Sequence, residues 1–151
     1  MRKIRKILVP LDRSAGSEAV LPAVAELARG AEGAEVCLLH VARPVEAVIQ
    51  GDLVVAYADQ ETARVEQEVL AYLKKVADNL SEIEAECVVR FGDPVKEIVR
   101  EAESAGADLV AMATHRRSGL GRLLIGSVAE KVERTTTIPV LLVRYGERLA
   151  A

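Results

Sequence analysis

The segment from Thr114 to Ser127 contains residue types that suit the binding of an anion. It carries three arginines and no acidic residue between Thr114 and Gly126, so its electrostatic potential is positive. It follows an apolar run and ends where a helical pattern begins, and such strand-to-helix links line the ligand crevice of open α/β sheets. A helix that begins at Gly126-Ser127 offers free N–H groups and a serine hydroxyl, which together can hold a phosphate group.

Two familiar phosphate-binding motifs do not fit this segment. Gly121 and Gly126 have the glycine spacing of a P-loop, but Ser127 stands where the P-loop lysine belongs. Gly119 and Gly121 begin a dinucleotide-binding fingerprint, but Leu124 occupies the place of its third glycine. The segment therefore predicts an anion site without matching either motif.

The same residues also have purely structural interpretations. Ser127 and Glu130 have the spacing of a capping box, in which they satisfy N–H groups of the helix itself. Arg117 and Arg122 are compatible with solvated surface charges, and His115 is compatible with an ordinary loop residue. At Ser127 the sequence leaves capping and ligand binding open.

Alternating apolar runs and helical patterns predict the elements that would position this segment. The predicted strands are Ile7–Leu11, Val36–Val41, Ala85–Arg90, Leu109–Ala113 and Val140–Val143. The predicted helices are Ser14–Arg29, Asp59–Leu80, Asp93–Gly106 and Ser127–Arg134, and Ala42–Ala58 is predicted to be a long connection. Nearly continuous apolar strands alternating with helices indicate a doubly wound α/β fold, with a parallel sheet and helices on both faces. We expect residues 1–151 to form one domain.

Composition excludes several classes of partner. The chain of 151 residues has a net charge of −3, so no overall positive field attracts nucleic acid or an anionic membrane. Three tyrosines, one phenylalanine and no tryptophan argue against a stacking platform for single-stranded nucleic acid. No apolar run has the length of a membrane span, and Ile7–Leu11 is too short for the core of a signal peptide. We therefore expect a cytoplasmic protein.

The two cysteines predict neither a disulfide nor a metal site. Cys37 and Cys87 lie in different predicted strands, and the chain has no Cys-x-x-Cys pair. Two buried free thiols in a reducing compartment are expected instead.

Several motifs together resemble those of the universal stress protein family. The resemblance is carried by the start Ile7–Asp12, by Leu39–Val41, by Ser118–Leu120, by Gly126–Glu130 and by the ending Ile138–Val143. It covers nearly the whole chain, with the spacing preserved at both ends. It implies the strand order 3-2-1-4-5, which makes Val140–Val143 an edge strand and the expected interface of a homodimer.

The resemblance also implies an adenine nucleotide site between strands 1 and 4. The ligand would be ATP, accompanied by Mg²⁺. Asp12 and Val41 would contact the ribose and adenine, and Met112 would cover the base. The full set of implied site residues is Pro10, Leu11, Asp12, Val41, Met112, Ala113, His115, Arg116, Gly126, Ser127 and Val128. A turn cap at Asp12, and core packing at Val41 and Met112, remain alternative interpretations.

Two residues depart from the family's phosphate motif, Gly-x-x-Gly followed after nine residues by Gly-Ser. Ala113 and Arg116 stand in place of the first two glycines. A side chain at a position of positive φ costs about 1 kcal/mol, so Arg116 is the harder departure to accommodate. Its guanidinium can pair with phosphate, and it can equally fill the space that phosphates would occupy. The sequence does not decide between these two outcomes.

Three functions follow from these observations. The first is a nucleotide-binding regulatory protein that acts through an unidentified protein partner. The second is a dimeric interaction module of the same family, whose crevice is altered by Ala113 and Arg116. The third is an enzyme, at most a slow ATP hydrolase. It has the least support, since no carboxylate pair or nucleophile–base pair can be placed together.

Overall fold

The elements of the fold follow the predicted alternation of strands and helices. The computed structural model describes residues 3–30, 33–45, 52–115 and 128–146, and describes side chains in α2 from residue 58 onward. The elements are β1 (Lys6–Pro10), a short 3-10 helix (Ser17–Val20), α1 (Leu21–Gly30), β2 (Glu35–Ala42), α2 (Asp52–Asp78), β3 (Ala85–Phe91), α3 (Pro94–Ser104), β4 (Leu109–His115), α4 (Val128–Thr135) and β5 (Val140–Tyr145). None of the helices in these ranges is both long enough and apolar enough to cross a membrane.

The described strands form one parallel sheet in the order β3-β2-β1-β4-β5, as predicted. The chain winds outward from β1 in one direction through β2 and β3, and in the other direction through β4 and β5. β1 pairs with β2 along its whole length, from Lys6 to Pro10. It pairs with β4 at two positions, Ile7 with Leu109 and Leu8 with Val110. β1 and β4 therefore separate toward their carboxyl ends, which is where ligands bind in sheets of this kind.

Helices cover both faces of the sheet, and side chains of β1 alternate between the two apolar layers. Ile7 and Val9 pack in the layer under α1 and α2, whereas Leu8 packs in the layer under α3 and α4. All three are fully buried, and burial of such a side chain contributes about 1.5–3 kcal/mol. The central strand is thus fixed from both sides.

The start of α3 is capped as the sequence predicts. Asp93 has extended backbone angles and its carboxylate accepts a hydrogen bond of 3.0 Å from the Lys96 N–H, while Pro94 occupies the first turn. Just before it, Gly92 has φ of +147°, which residues with a Cβ rarely adopt, and its N–H donates to the Ala42 carbonyl. This turn holds the beginning of α3 against the carboxyl end of β2.

The predicted start of the first helix is wrong. α1 begins at Leu21 and not at Ser14, and it is preceded by the 3-10 helix. The hydroxyls of Ser14 and Ser17 hydrogen-bond to backbone groups of the intervening loop, and such bonds compete with a regular helix. Pro22, which favours a first turn, was the available signal for the true start.

The second helix and four strands, β2 to β5, are longer than predicted. α2 begins at Asp52, so the predicted connection Ala42–Ala58 overlaps its first two turns. The pattern missed this part because adjacent valines at 54 and 55 lower helix propensity and no apolar stripe continues through it. β4 and β5 each extend two residues beyond their predicted ends, to His115 and Tyr145. These two extensions become part of the site.

The two thiols lie in opposite apolar layers. Cys37 is buried as predicted, but Cys87 is partly exposed, so the prediction of two buried thiols is wrong for Cys87. Cys87 pairs with Leu38 in the β2–β3 register, and its side chain therefore points to the face opposite Cys37. Both are free cysteines.

We expect Cys37 to be unreactive in the folded protein. Burial, together with the charges of Glu86 and Glu101, raises the pKa of its thiol to about 12, and the thiolate is the reactive form. In a Cys87→Ser variant, a chromogenic disulfide reagent at about pH 8 should label no thiol before unfolding and one thiol after it. Rapid labelling of the folded variant would contradict the burial of Cys37.

Candidate functional site

A cavity of about 300 Å³ lies where β1 and β4 separate, and we call it the β1–β4 cavity. Its walls come from the carboxyl ends of β1, β2, β4 and β5 and from the first turns of α3 and α4. The lining residues are Pro10, Leu11, Asp12, Ser17, Leu39, Val41, Pro94, Ile98, Met112, Ala113, Thr114, His115, Val128, Ala129 and Tyr145. The cavity therefore lies at the topological switch point of the sheet, between the two strands from which the chain winds in opposite directions.

The predicted site residues converge on this one cavity. Those in the described part of the chain all line it: Pro10, Leu11, Asp12, Val41, Met112, Ala113, His115 and Val128. The remaining three, Arg116, Gly126 and Ser127, lie outside the described residues. Ligand contact at any of these positions stays a prediction.

Seven lining residues were not predicted: Ser17, Leu39, Pro94, Ile98, Thr114, Ala129 and Tyr145. Pro94 and Ile98 could have been found, because the capped start of α3 must follow β3 at the same edge of the sheet. Tyr145 had no such signal, since its place depends on β5 continuing two residues past the predicted strand.

The sheet order divides the β1–β4 cavity into two chemically different ends. The apolar end, over β2 and α3, is formed by Leu39, Val41, Pro94 and Ile98. The polar end, over the segment after β1 and the ends of β4 and β5, is formed by Asp12, Ser17, Thr114, His115 and Tyr145. This arrangement suits a ligand with a flat apolar part and a polar or charged part.

Hydrogen bonds within the segment after β1 fix the position of Asp12. Its Oδ1 accepts from both the N–H, at 2.9 Å, and the hydroxyl of Ser14. The Ser17 hydroxyl accepts from the Asp12 N–H and donates to the Ser14 carbonyl. Arg13 between them has φ of 73°, a left-handed conformation that costs about 1 kcal/mol without glycine. Asp12 thus orders a tight turn, and does not cap α1 itself.

Leu11 joins the ends of β1 and β2 beneath the cavity. Its N–H donates to the Leu39 carbonyl at 2.8 Å, and its carbonyl accepts from His40 Nδ1 at 2.8 Å. Because a carbonyl oxygen can only accept, Nδ1 of His40 carries a proton. His40 therefore stabilises the floor of the cavity from outside its lining.

At the opposite side, the ends of β4 and β5 close the polar end with two rings. His115 pairs with Tyr145 in the strand register. Their ring centroids lie 5.0 Å apart and their planes are nearly perpendicular, at 85°, which is a favourable edge-to-face contact. The Tyr145 ring also lies against Gly16, in the turn before the 3-10 helix.

No group of three or more His, Cys, Asp and Glu side chains in the described ranges is arranged to hold a metal ion.

Comparison with known proteins identifies the family. Residues 3–144 match the model of the universal stress protein family, and the chain belongs to this family. It is 32% identical over 148 residues to the universal stress protein YxiE of Bacillus subtilis, which covers 92% of this chain and 98% of that protein. It is 30% identical over 157 residues to the universal stress protein MJ0577 of Methanocaldococcus jannaschii, covering 93% and 94% of the two chains.

Solved structures agree with this assignment. The structure of MJ0577 has a TM-score of 0.82 at 28% identity, covering 97% of this chain and 100% of that one. A universal stress protein solved in complex with cAMP has a TM-score of 0.66 at 19% identity, covering 96% and 100%. The Archaeoglobus fulgidus protein solved in complex with dAMP has a TM-score of 0.62 at 21% identity, covering 94% and 99%. The last two show the shared fold.

We expect the Asp12 turn to give a small, pH-dependent contribution to stability. Partial burial raises the pKa of Asp12, but hydrogen bonds from Ser14 and Ser17 and the nearby His40 outweigh it, so the pKa falls below its ordinary 3.8. A lowered folded-state pKa stabilises the protein above the ordinary pKa, and this stability is lost as the pH falls through the lower value.

The substitution Asp12→Asn isolates this charge, because an amide oxygen can still accept from Ser14. In urea unfolding at about pH 6 the parent should be more stable by less than about 1 kcal/mol, since the carboxylate is largely exposed. The difference should shrink as the pH falls below the ordinary pKa of Asp12 and through its lower value in the folded protein. A difference that persists unchanged at the lower pH would show that the charge is not responsible.

Proposed function

We propose that the β1–β4 cavity binds an adenine nucleotide, ATP, and that the protein is a regulatory protein acting through a protein partner. The observation that carries this proposal is the convergence of eight predicted site residues on one cavity with an apolar and a polar end. Its volume of about 300 Å³ lies at the lower end of the range for small-molecule sites.

The apolar end provides the surface that an adenine ring requires. Val41 and Ile98 present branched aliphatic side chains, and Met112 of β4, which packs in the same apolar layer, adds a flexible thioether that adapts to a flat ring. Ile98 is 3% exposed and Met112 is 6% exposed, so both are held by the core and form a largely fixed wall. In this pose the base lies over β2 and α3, and the ribose lies near Asp12.

The polar end would then face the phosphates. His115 ends β4 at this position, and Val128 begins α4, whose N-terminal N–H groups favour negative charge. By sequence, Arg116, Gly126 and Ser127 would complete this end. Mg²⁺ would enter with the phosphate oxygens that it prefers as ligands.

The family supports the same ligand class. Two proteins of this fold were solved with cAMP and dAMP, which are both adenine nucleotides. Ala113, in place of a family glycine, lines an open cavity and adds only a methyl group. Arg116 remains the residue on which the alternative, an interaction module without nucleotide, depends.

We expect nucleotide-free protein to bind MgATP with a micromolar dissociation constant, measured by calorimetry. Asp12→Ala should weaken binding at least about tenfold, since it removes a ribose ligand and loosens its turn. The matched control is Asp78→Ala, the same change at the end of α2, at the opposite edge of the sheet, which should leave binding unchanged.

The variant Arg116→Gly separates the two functions. Weaker binding in this variant would assign Arg116 to the phosphates. Binding gained by the variant and absent from the parent would favour the interaction module, with Arg116 blocking the site. No binding by either protein at millimolar MgATP would overturn the proposed function.

We also propose that residues 1–151 form a single domain, and that the protein is a homodimer in the cytoplasm. β5 is an edge strand whose residues Val140 to Val143 are half-buried in the single chain. Such an aliphatic edge is an aggregation hazard unless it pairs, and a two-fold axis would pair it with its twin. Sedimentation at micromolar concentration should give twice the chain mass of 16.3 kDa; a monomer would contradict this interface.

A further inference from the structure

The Tyr145 side chain lies over the carboxyl edge of the sheet and contacts residues outside its own strand. It is the last residue of β5, the edge strand, and it is paired with His115 at the end of β4. Its ring stands edge-to-face on the His115 ring, and the side chain also lines the β1–β4 cavity. Tyr145 therefore reaches from the edge of the sheet into the crevice beside the central strand.

Gly16 provides the space that this position of the ring requires. A Cβ placed on Gly16 would lie 2.3 Å from both Cζ and Oη of Tyr145, far inside van der Waals contact. The backbone angles of Gly16, φ −64° and ψ −42°, are ordinary for any residue. Glycine at position 16 therefore leaves space for the Tyr145 ring. The backbone conformation at this position does not itself require glycine.

The Tyr145 hydroxyl belongs to a side chain that lines the cavity. The Tyr145 side chain lines the cavity together with Asp12, Ser17 and His115, and its Oη lies beside Gly16. Within the described ranges it donates no hydrogen bond to the protein. An ordered phenol beside a cavity, with its donor unused, can bond an anionic oxygen, and such charge-assisted bonds are about twice as strong as neutral ones.

We propose that Tyr145 is a ligand-binding residue that closes the polar end of the β1–β4 cavity and donates its hydroxyl to a phosphate oxygen of the nucleotide. Gly16 is the positioning residue that admits the ring. This inference rests on the proposed function. It assigns to the end of β5 a part in binding that is separate from its expected part in dimer pairing.

The test compares two ligands and two tyrosines. Tyr145→Phe keeps the ring and removes the hydroxyl, so MgATP binding should weaken about tenfold, whereas adenosine, which has no phosphate, should bind as it does to the parent. The matched control is Tyr72→Phe, the same change in α2, where the hydroxyl is buried and does not line the cavity. It should leave the affinity for both ligands unchanged.

The positioning role of Gly16 is tested by substituting Gly16 in the presence and in the absence of the Tyr145 ring. Gly16→Ala should displace the ring and weaken MgATP binding as much as Tyr145→Ala does, with a small change in the midpoint of thermal unfolding. The double variant should bind no worse than Tyr145→Ala alone, because the ring that meets the new methyl group is gone. Additive losses would overturn the positioning role of Gly16.

The possible outcomes distinguish a failure of this inference from a failure of the proposed function. If the parent binds MgATP and Tyr145→Phe binds it equally well, the role of Tyr145 is wrong and the proposed function stands. If Tyr145→Phe weakens adenosine and MgATP equally, the hydroxyl does not act on phosphate and the inference is again wrong. If the parent binds neither ligand, both the function and the inference fail.

Discussion

The separation of β4 from β1 is the constraint on which the cavity depends. β1 is paired to β2 as far as Pro10, and the Leu11 N–H adds one more bond to that strand, whereas pairing with β4 ends at Leu8. The helix that follows β1 along the chain, α1, packs on one face of the sheet, and the helix that follows β4, α4, packs on the other face. β1 can hold this position because its apolar side chains are buried in both layers, which fixes the strand while its carboxyl end stays open.

The chemistry of the cavity follows from which strands lie on each side of that gap. On the β2 side, the capped start of α3 brings Pro94 and Ile98 against the apolar strand end. On the β4 side, the strand ends carry His115 and Tyr145, and the tight turn at Asp12 faces them across the gap. A ligand that spans the gap therefore meets an apolar wall and a polar wall in a fixed order, and an adenine nucleotide has its base and phosphates arranged in this way.

Sequence reasoning predicted the position of a residue best where that position follows from the strand that contains or precedes the residue. Asp12 follows an apolar run, Val41 ends one, and Met112 lies one residue before the end of another, so the parallel sheet brings them to one edge. The resemblance to the family supplied both the strand order and the choice of these residues, and their contact with a ligand stays a prediction. Sequence reasoning was less successful before α1, where hydrogen bonds of the Ser14 and Ser17 side chains form a loop in place of the predicted first turns of the helix. Tyr145 could not be found from the pattern, because its position depends on a contact with Gly16, 129 residues earlier in the chain. Sequence spacing carries no information about such a contact.

The central claim is that an adenine nucleotide lies across the gap with its base over β2 and α3. It is tested most directly by methyl NMR of the protein during titration with MgATP, because the chain offers methyl probes at the apolar end and far from it. The account predicts large shifts at Val41, Ile98 and Met112, and small shifts at Val76 and Leu80, which lie in the layer under α2. Shifts confined to methyl groups outside the β1–β4 cavity, with Val41, Ile98 and Met112 unchanged at saturation, would contradict it.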